Sequence, residues 1–160
     1  MVIGGGYAGI NVARALDDHT HVTLVEPKDA FVHNVAALRA LVEPTWVPRI
    51  FLPYDHLLEH GTIVRDRAAH VTANRVVLAS GQQLTPDFIV LATGSTYPFP
   101  AKSDQPNTFD AIGRYHAAHT NLTRAHRVML LGAGPVGLEL AGEIAAAWPD
   151  KHIVLVDLAD

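Results

Sequence analysis

The sequence predicts an α/β fold, and three observations carry that expectation. Two glycine-rich turns of one spacing stand far apart in the chain. The first, Gly4-Gly5-Gly6-Tyr7-Ala8-Gly9, follows Met1-Val2-Ile3, and the second, Gly132-Ala133-Gly134-Pro135-Val136-Gly137, follows Arg127-Val128-Met129-Leu130-Leu131. Each turn leads into a helical stretch and then a β-branched strand closed by an acid: Glu26 after His21-Val22-Thr23-Leu24-Val25, and Asp157 after His152-Ile153-Val154-Leu155-Val156. The acid stands 22 positions after the first glycine in one copy and 25 in the other, near the ~20 residues of a strand–turn–helix–strand unit.

Between and around these copies the elements read as follows. Residues 10–17 form a helix with Val12, Ala13 and Leu16 on one face. Asn34 to Leu41 is a short helix ended before Pro44, and Pro44 to Pro53, with three prolines, is a loop. Val71 to Leu78 reads as strand, turn at Asn74 and strand, closed by Gly81, and Phe88 to Ala92 is a further apolar, buried strand. The Pro-rich stretch 97–107 crosses between units, 116–125 is a helix, and Pro135 to Trp148 is a long helix with proline at its first turn, where it is tolerated. The repeat occurs twice with a long insert, so it is not a solenoid. The expected domains are 1–110, containing a β-meander at about 63–92, and 111–160, the start of a second domain. The first strand has three residues before its turn where about five or six is typical, and the second unit stops just after Asp157, so the chain reads as cut at both ends.

Composition removes several function classes. The 160 residues are 49% hydrophobic and 18% charged, a globular balance, with a net charge of −4 and no basic cluster, so nucleic acid is not expected as a partner. No apolar run approaches the ~18 residues of a membrane span, no secretory leader precedes the first turn, and Val2 stands where myristoylation needs glycine. The chain has no cysteine, which excludes disulfides, thiolate metal sites and a redox-active Cys pair within these residues, and fits a reducing, cytoplasmic setting. His116 and His119, three apart on one helix, read as surface residues, and no metal site is expected.

The glycines have a physical purpose. In such a turn the first makes the tight bend, the second lets the backbone approach a pyrophosphate, and the third lets helix and strand pack closely. Backbone N–H groups and the helix dipole then hold the phosphates, and the acid at the end of the next strand takes ribose hydroxyls. One turn implies one dinucleotide, and two imply electrons passing between two of them. Asp157 would repel a 2′-phosphate and so favour NADH over NADPH, against the plainer reading of a polar residue closing a strand.

Leu91-Ala92-Thr93-Gly94-Ser95, lying between the two turns, is similar to the pattern of the pyridine nucleotide–disulfide oxidoreductase superfamily. Within it, the stretch from Lys28 to Ala40, with Phe31, His33 and Arg39, most resembles the apoptosis-inducing-factor-like flavoproteins that include ferroptosis suppressor protein. Thr93 to Thr96 and Pro98-Phe99-Pro100 strengthen the match, and type II NADH:quinone dehydrogenases are neighbouring relatives. The resemblance implies a Rossmann-like, two-dinucleotide flavoprotein fold, incomplete here, with FAD on the first turn and NAD(H) on the second.

It also implies roles for particular residues. Gly4, Gly5, Gly6, Tyr7, Ala8 and Gly9 form the FAD cradle, with Tyr7 also packing over the helix start. Glu26 holds the adenosine ribose, Lys28 reaches the adenosine side, Arg39 contacts FAD, Ala68 meets the adenine through its backbone, and Thr93 and Gly94 pass beside the flavin. Gly132, Gly134, Gly137 and Asp157 hold NADH, and Glu139 approaches the nicotinamide. His33 reads equally as a flavin neighbour or as packing, while Trp46 and Tyr54 read as loop packing rather than a hydrophobic entrance.

No side chain is needed as a catalytic acid, base or nucleophile, because the resemblance implies hydride transfer from NADH to FAD and electrons onward to a small-molecule, quinone-type acceptor. Membrane association is expected only through segments beyond this sequence. Two alternatives stay open: a non-catalytic dinucleotide-binding module or fragment, and a ferredoxin- or rubredoxin-type reductase.

Overall fold

The computed structural model describes residues 1–158. Its elements in chain order are β1 (Val2–Ile3), α1 (Tyr7–Asp17), β2 (Thr23–Val25), β3 (Ala30–Val32), a 3-10 turn (Asn34–Ala36), α2 (Ala37–Val42), a 3-10 helix (Pro44–Ile50), β4 (Phe51–Pro53) and β5 (Thr62–Val64). There follow β6 (Ala68–Val71), β7 (Val76–Leu78), β8 (Gln83–Leu84), β9 (Val90–Leu91), α3 (Thr108–Arg124), β10 (Arg127–Leu131), α4 (Pro135–Ala147) and β11 (His152–Val156). Two compact units result. One comprises Met1–Val32, Leu52–Thr96 and Gln105–Thr108. The other comprises His33–Phe51, Tyr97–Asp104 and the chain from Phe109 onward.

In the first unit four parallel strands lie in the order β5-β2-β1-β9, with Val2 opposite Leu24 and Val90, and Ile3 opposite Val25 and Leu91. Successive side chains of a strand face opposite sides, so each central pair serves two cores. Val2 and Leu24 join Ala13, Val22, Phe31 and Tyr54 on the α1 side, while Ile3 and Val25 join Val76 and Leu78 of the antiparallel sheet β6-β7-β8 on the other. The central sheet is therefore the middle of three layers.

Helix α1 buries Gly9, Ala13 and Asp17, a stripe at four-residue intervals; of the expected face Ala13 is buried and Val12 packs half-buried against the core, and Leu16 departs from it. Small residues at Gly9 and Ala13 bring the helix close to the sheet, and Leu16 is left 36% exposed. Asp17 is buried because it is used: its carboxylate accepts the backbone N–H groups of Glu59 at 2.5 Å, His60 at 3.1 Å and Gly61 at 2.7 Å, fastening the loop that leads into β5.

In the second unit β10 and β11 pair in parallel from Arg127↔His152 to Leu131↔Val156, joined by α4, which buries Leu140 and Ile144 one turn apart. Helix α3 buries Ala111 and Tyr115, whose hydroxyl donates to the Pro100 carbonyl at 2.9 Å. Burial pushes that phenol's pKa up to about 12, against the opposing pull of Arg114. Lys151 Nζ donates to the Thr123 and Ala125 carbonyls at 3.0 and 2.7 Å, placing a cation at the negative end of α3.

Several expectations are corrected. The stretch after Pro44 is a 3-10 helix and a short strand instead of a loop. Pro44 and Pro48 fix φ near the value such a turn needs, and Val47 and Ile50, three apart, both point inward and are fully buried. The meander is shorter than 63–92, because β5 and β9 belong to the parallel sheet. The expected buried strand from Phe88 to Ala92 shortens to β9 and is not fully buried: Phe88, before it, is 83% exposed, and Leu91 is 66% exposed in an edge strand with no outer neighbour among the described residues. Residues 33–51 and 97–104 belong to the second compact unit. Residues 159 and 160 of the expected second domain lie outside the described residues.

Burial acts to raise the Asp17 pKa, but the N–H bonds from His60, Glu59 and Gly61 outweigh it and hold the carboxyl below its ordinary value. A lowered folded pKa means the stability from this group is complete above the ordinary carboxylate pKa of about 3.9 and is lost as pH falls through the folded value. Asp17→Ala is expected to lower Tm at neutral pH, with the gap to the parent closing as the solution is acidified. A gap that stays constant across thermal melts down to about pH 2 would remove the carboxylate as its cause.

Candidate functional site

The two glycine turns share one backbone geometry. Gly4 has φ +103° and Gly132 φ +106°, a backbone conformation that glycine adopts without strain. Gly4 N–H reaches the Val25 carbonyl at 2.9 Å, and Gly132 N–H the Val156 carbonyl at 2.7 Å, so each turn is tied to its second strand. A methyl on Gly9 would overlap the Gly4 carbonyl oxygen, and one on Gly137 the Gly132 carbonyl oxygen. At Gly6 and Gly134, by contrast, nothing lies within 4 Å of where a Cβ would stand. The third glycine is thus required by the fold, and the second leaves open space.

That open space lies beside helix starts that no side chain caps. Gly6 and Gly134 are the N-caps of α1 and α4, neither cap is closed by a side chain, and neither first turn contains an acid. Helical hydrogen bonding begins only with Ile10 N–H to Gly6 O and Leu138 N–H to Gly134 O, both at 3.0 Å. A helix start normally gains a Ser, Thr, Asp or Asn cap or an acid in its first turn. Two helices that lack both present their N–H groups and positive dipole ends to an outside anion, which is what a dinucleotide pyrophosphate supplies. The residues present therefore fit the group.

The acids are wired alike too. Glu26 accepts Gly5 N–H at 2.6 Å and Lys28 N–H at 3.0 Å, and Asp157 accepts Ala133 N–H at 2.5 Å and Leu158 N–H at 2.7 Å. An ionised carboxylate has about four acceptor positions, so the two N–H bonds to Glu26 leave it capacity for ribose hydroxyls.

The other expected residues fall as follows. Thr93 lies at the first turn, because a methyl on Gly4 would meet the Ala92 carbonyl and Thr93 Cα, and Gly94 beyond it is exposed with φ +69°. Lys28 follows Glu26 and lines a cavity of about 690 Å³ with Asp29, Tyr54, Arg65 and Thr108. Asp29 there accepts Thr108 N–H and Oγ1–H at 2.9 and 2.8 Å; burial would raise its pKa, but Thr108 and Arg65 hold it low. Tyr7 and Ala8 are exposed on the helix start, Tyr7 edge-on to Phe31 at 4.9 Å. Ala68 sits in β6 opposite Leu78, and Glu139 is exposed on α4.

Arg39 belongs to the second unit. Its Nε lies 2.7 Å from a Glu143 carboxylate oxygen, and Glu43 is 3.8 Å away. His119 is half-buried, with Nδ1 2.9 Å from the Leu41 carbonyl and its ring against Trp148, while His116 is exposed. Among the described residues no three His, Cys, Asp or Glu side chains gather as a metal site, and no helix is long and apolar enough to cross a membrane.

One residue read as loop packing is part of the turn. Tyr54 is buried, and its hydroxyl donates to the Gly5 carbonyl at 2.8 Å. The available signal was Gly5, the middle of three consecutive glycines, because the Gly-x-Gly-x-x-Gly pattern leaves that position open and glycine there implies something large above it.

The chain belongs to the pyridine nucleotide-disulphide oxidoreductase family, whose pattern matches residues 1–160. It is 36% identical over 158 residues to apoptosis-inducing factor homolog B of Dictyostelium discoideum, covering 98% of this chain and 41% of that protein. It is 35% identical over 162 residues to ferroptosis suppressor protein 1 of Xenopus tropicalis, covering 98% and 42%. Among solved structures, a ferredoxin reductase from Rhodopseudomonas palustris superposes with a TM-score of 0.73 at 21% identity, over 99% of this chain and 42% of that one. The chain thus spans about two-fifths of the length of the curated relatives it matches. The family resemblance and the Rossmann-like α/β class expected from the sequence are both borne out.

The glycine geometry separates folding from binding. Gly9→Ala is expected to cost about 2 kcal/mol or more of stability, because the methyl has nowhere to go. Gly6→Ala, in open space, should cost under about 1 kcal/mol. Urea unfolding of the two variants checks this, and equal losses would contradict the difference in space between the two positions.

Proposed function

We propose that this chain carries the two nucleotide sites of an FAD-dependent NADH oxidoreductase, with flavin on the first turn and NADH on the second. The observation that carries the reading is the duplication: two uncapped, acid-free helix starts, each behind an open glycine and an acid tied to the turn. Bound there, the cofactors supply hydride transfer from nicotinamide to flavin and onward delivery of electrons to a quinone-type acceptor. The acceptor assignment rests on the resemblance of the Lys28 to Ala40 stretch to the apoptosis-inducing-factor-like flavoproteins, of which type II NADH:quinone dehydrogenases are neighbouring relatives, and ferredoxin is its rival.

The protein's share is placement. Gly6 and the first N–H groups of α1 hold one pyrophosphate, and Gly134 with the start of α4 holds the other. Glu26 and Asp157, each an acid at the end of the strand that follows its turn and helix, take the riboses. Asp157 sets the choice of nicotinamide cofactor, since its charge opposes a 2′-phosphate. Thr93 and Gly94 run beside the flavin, Lys28 serves the adenosine side and Ala68 the adenine. Arg39 serves the FAD and Glu139 the nicotinamide.

Two measurements test this. The purified protein with added FAD should show a flavin band that bleaches on anaerobic NADH addition, and Gly6→Val should lose the flavin while keeping its Tm, because a branched side chain fills the phosphate's approach. Flavin retained by that variant would remove the first turn from the site. Asp157→Ser should narrow the preference for NADH over NADPH in nucleotide titrations, and an unchanged preference would separate Asp157 from nucleotide choice.

A further inference from the structure

Gly5 is glycine because of what stands over it. A methyl on Gly5 would come 2.5 Å from the Tyr54 hydroxyl oxygen and 2.8 Å from Glu26 Cγ. These two side chains hold both ends of the residue: Glu26 accepts its N–H at 2.6 Å, and the Tyr54 hydroxyl donates to its carbonyl at 2.8 Å in a buried bond. The Tyr54 ring is itself fixed in the apolar cluster of Val2, Ala13, Val22, Leu24 and Phe31. In a trans peptide the carbonyl and the following N–H point opposite ways in one rigid plane. Holding the Gly5 carbonyl toward the interior therefore sets the direction of Gly6 N–H, which is outside the helical ladder on an exposed residue with open space beside it.

We propose that Tyr54 is a positioning residue of the first nucleotide site: by gripping the Gly5 carbonyl, its hydroxyl aims the Gly6 N–H outward at the dinucleotide phosphate. The inference rests on the assignment of the first turn to FAD. Burial, with the Glu26 and Asp29 carboxylates nearby, pushes the Tyr54 phenol well above its ordinary pKa, so the group stays a donor throughout the pH range of function. The second turn supplies an internal comparison, since NADH there does not depend on this tyrosine.

The test is Tyr54→Phe, which keeps the ring in its cluster and removes only the donor. In the ligand-free protein, the Gly6 amide resonance should shift. FAD affinity, followed by flavin fluorescence, should fall about tenfold, the worth of one well-aligned hydrogen bond, with NADH affinity unchanged. Leu57→Ala, which loosens the same cluster without touching the hydroxyl, should leave the Gly6 amide in place. An unmoved Gly6 amide in Tyr54→Phe overturns the clamp whatever the ligands do, and a moved amide with unchanged FAD affinity overturns its role in binding. A parent protein that binds no FAD overturns the flavin assignment instead, while the amide measurement still decides the clamp. Should the variant fail to fold, a Tyr54 hydroxyl proton in slow exchange with water reports the bond in the parent protein, and its absence counts against the proposal.

Discussion

The third glycine of each turn lies against the carbonyl oxygen of the first with no room for a methyl group between them, and much of the molecule follows from that contact. It brings the start of α1 to the end of β1, and the start of α4 to the end of β10. The first glycine must then take a positive φ to reverse the chain in so little space. The same closeness explains the small residues Gly9 and Ala13 along the buried stripe of α1, where a larger side chain would push the helix off the sheet.

The acids and the tyrosine convert this steric arrangement into a rigid one. A glycine-rich turn loses more backbone entropy on ordering than any other segment, so it needs fixed partners. Glu26 and Asp157 provide them by accepting the N–H between the first two motif glycines. The first turn gains Tyr54 on the adjoining carbonyl. A carboxylate that ties the turn and still has lone pairs to spare can serve folding and ligand binding together. That dual use makes the acid a poor candidate for clean separation of stability from affinity, and makes the second glycine, which the ligand-free fold does not need, a better one.

Polar groups fasten the first unit elsewhere by the same principle. Asp17 gathers three backbone N–H groups before β5, and Asp29 holds Thr108 through its N–H and hydroxyl. Each carboxylate accepts backbone N–H groups, which keeps it ionised below the ordinary carboxylate range and orders the connection it holds.

The sequence by itself determined the repeated unit, the positions of both turns, their acids and the α/β class, because these depend on local chemistry: glycine where φ is positive, β-branched runs for strands, and fixed spacing between them. It also determined the family, through the stretch from Lys28 to Ala40 and the Thr93-Gly94 segment. Only the tertiary structure decided that Asp17, not Leu16, lies on the buried face of α1, that residues 33–51 pack with the second unit, and that Arg39 meets Glu143. It alone brought Tyr54 onto Gly5, 49 positions away. Periodicity reports which residues share a face of one element. It carries no record of which backbone groups a distant side chain will find there, and that is settled when the layers pack.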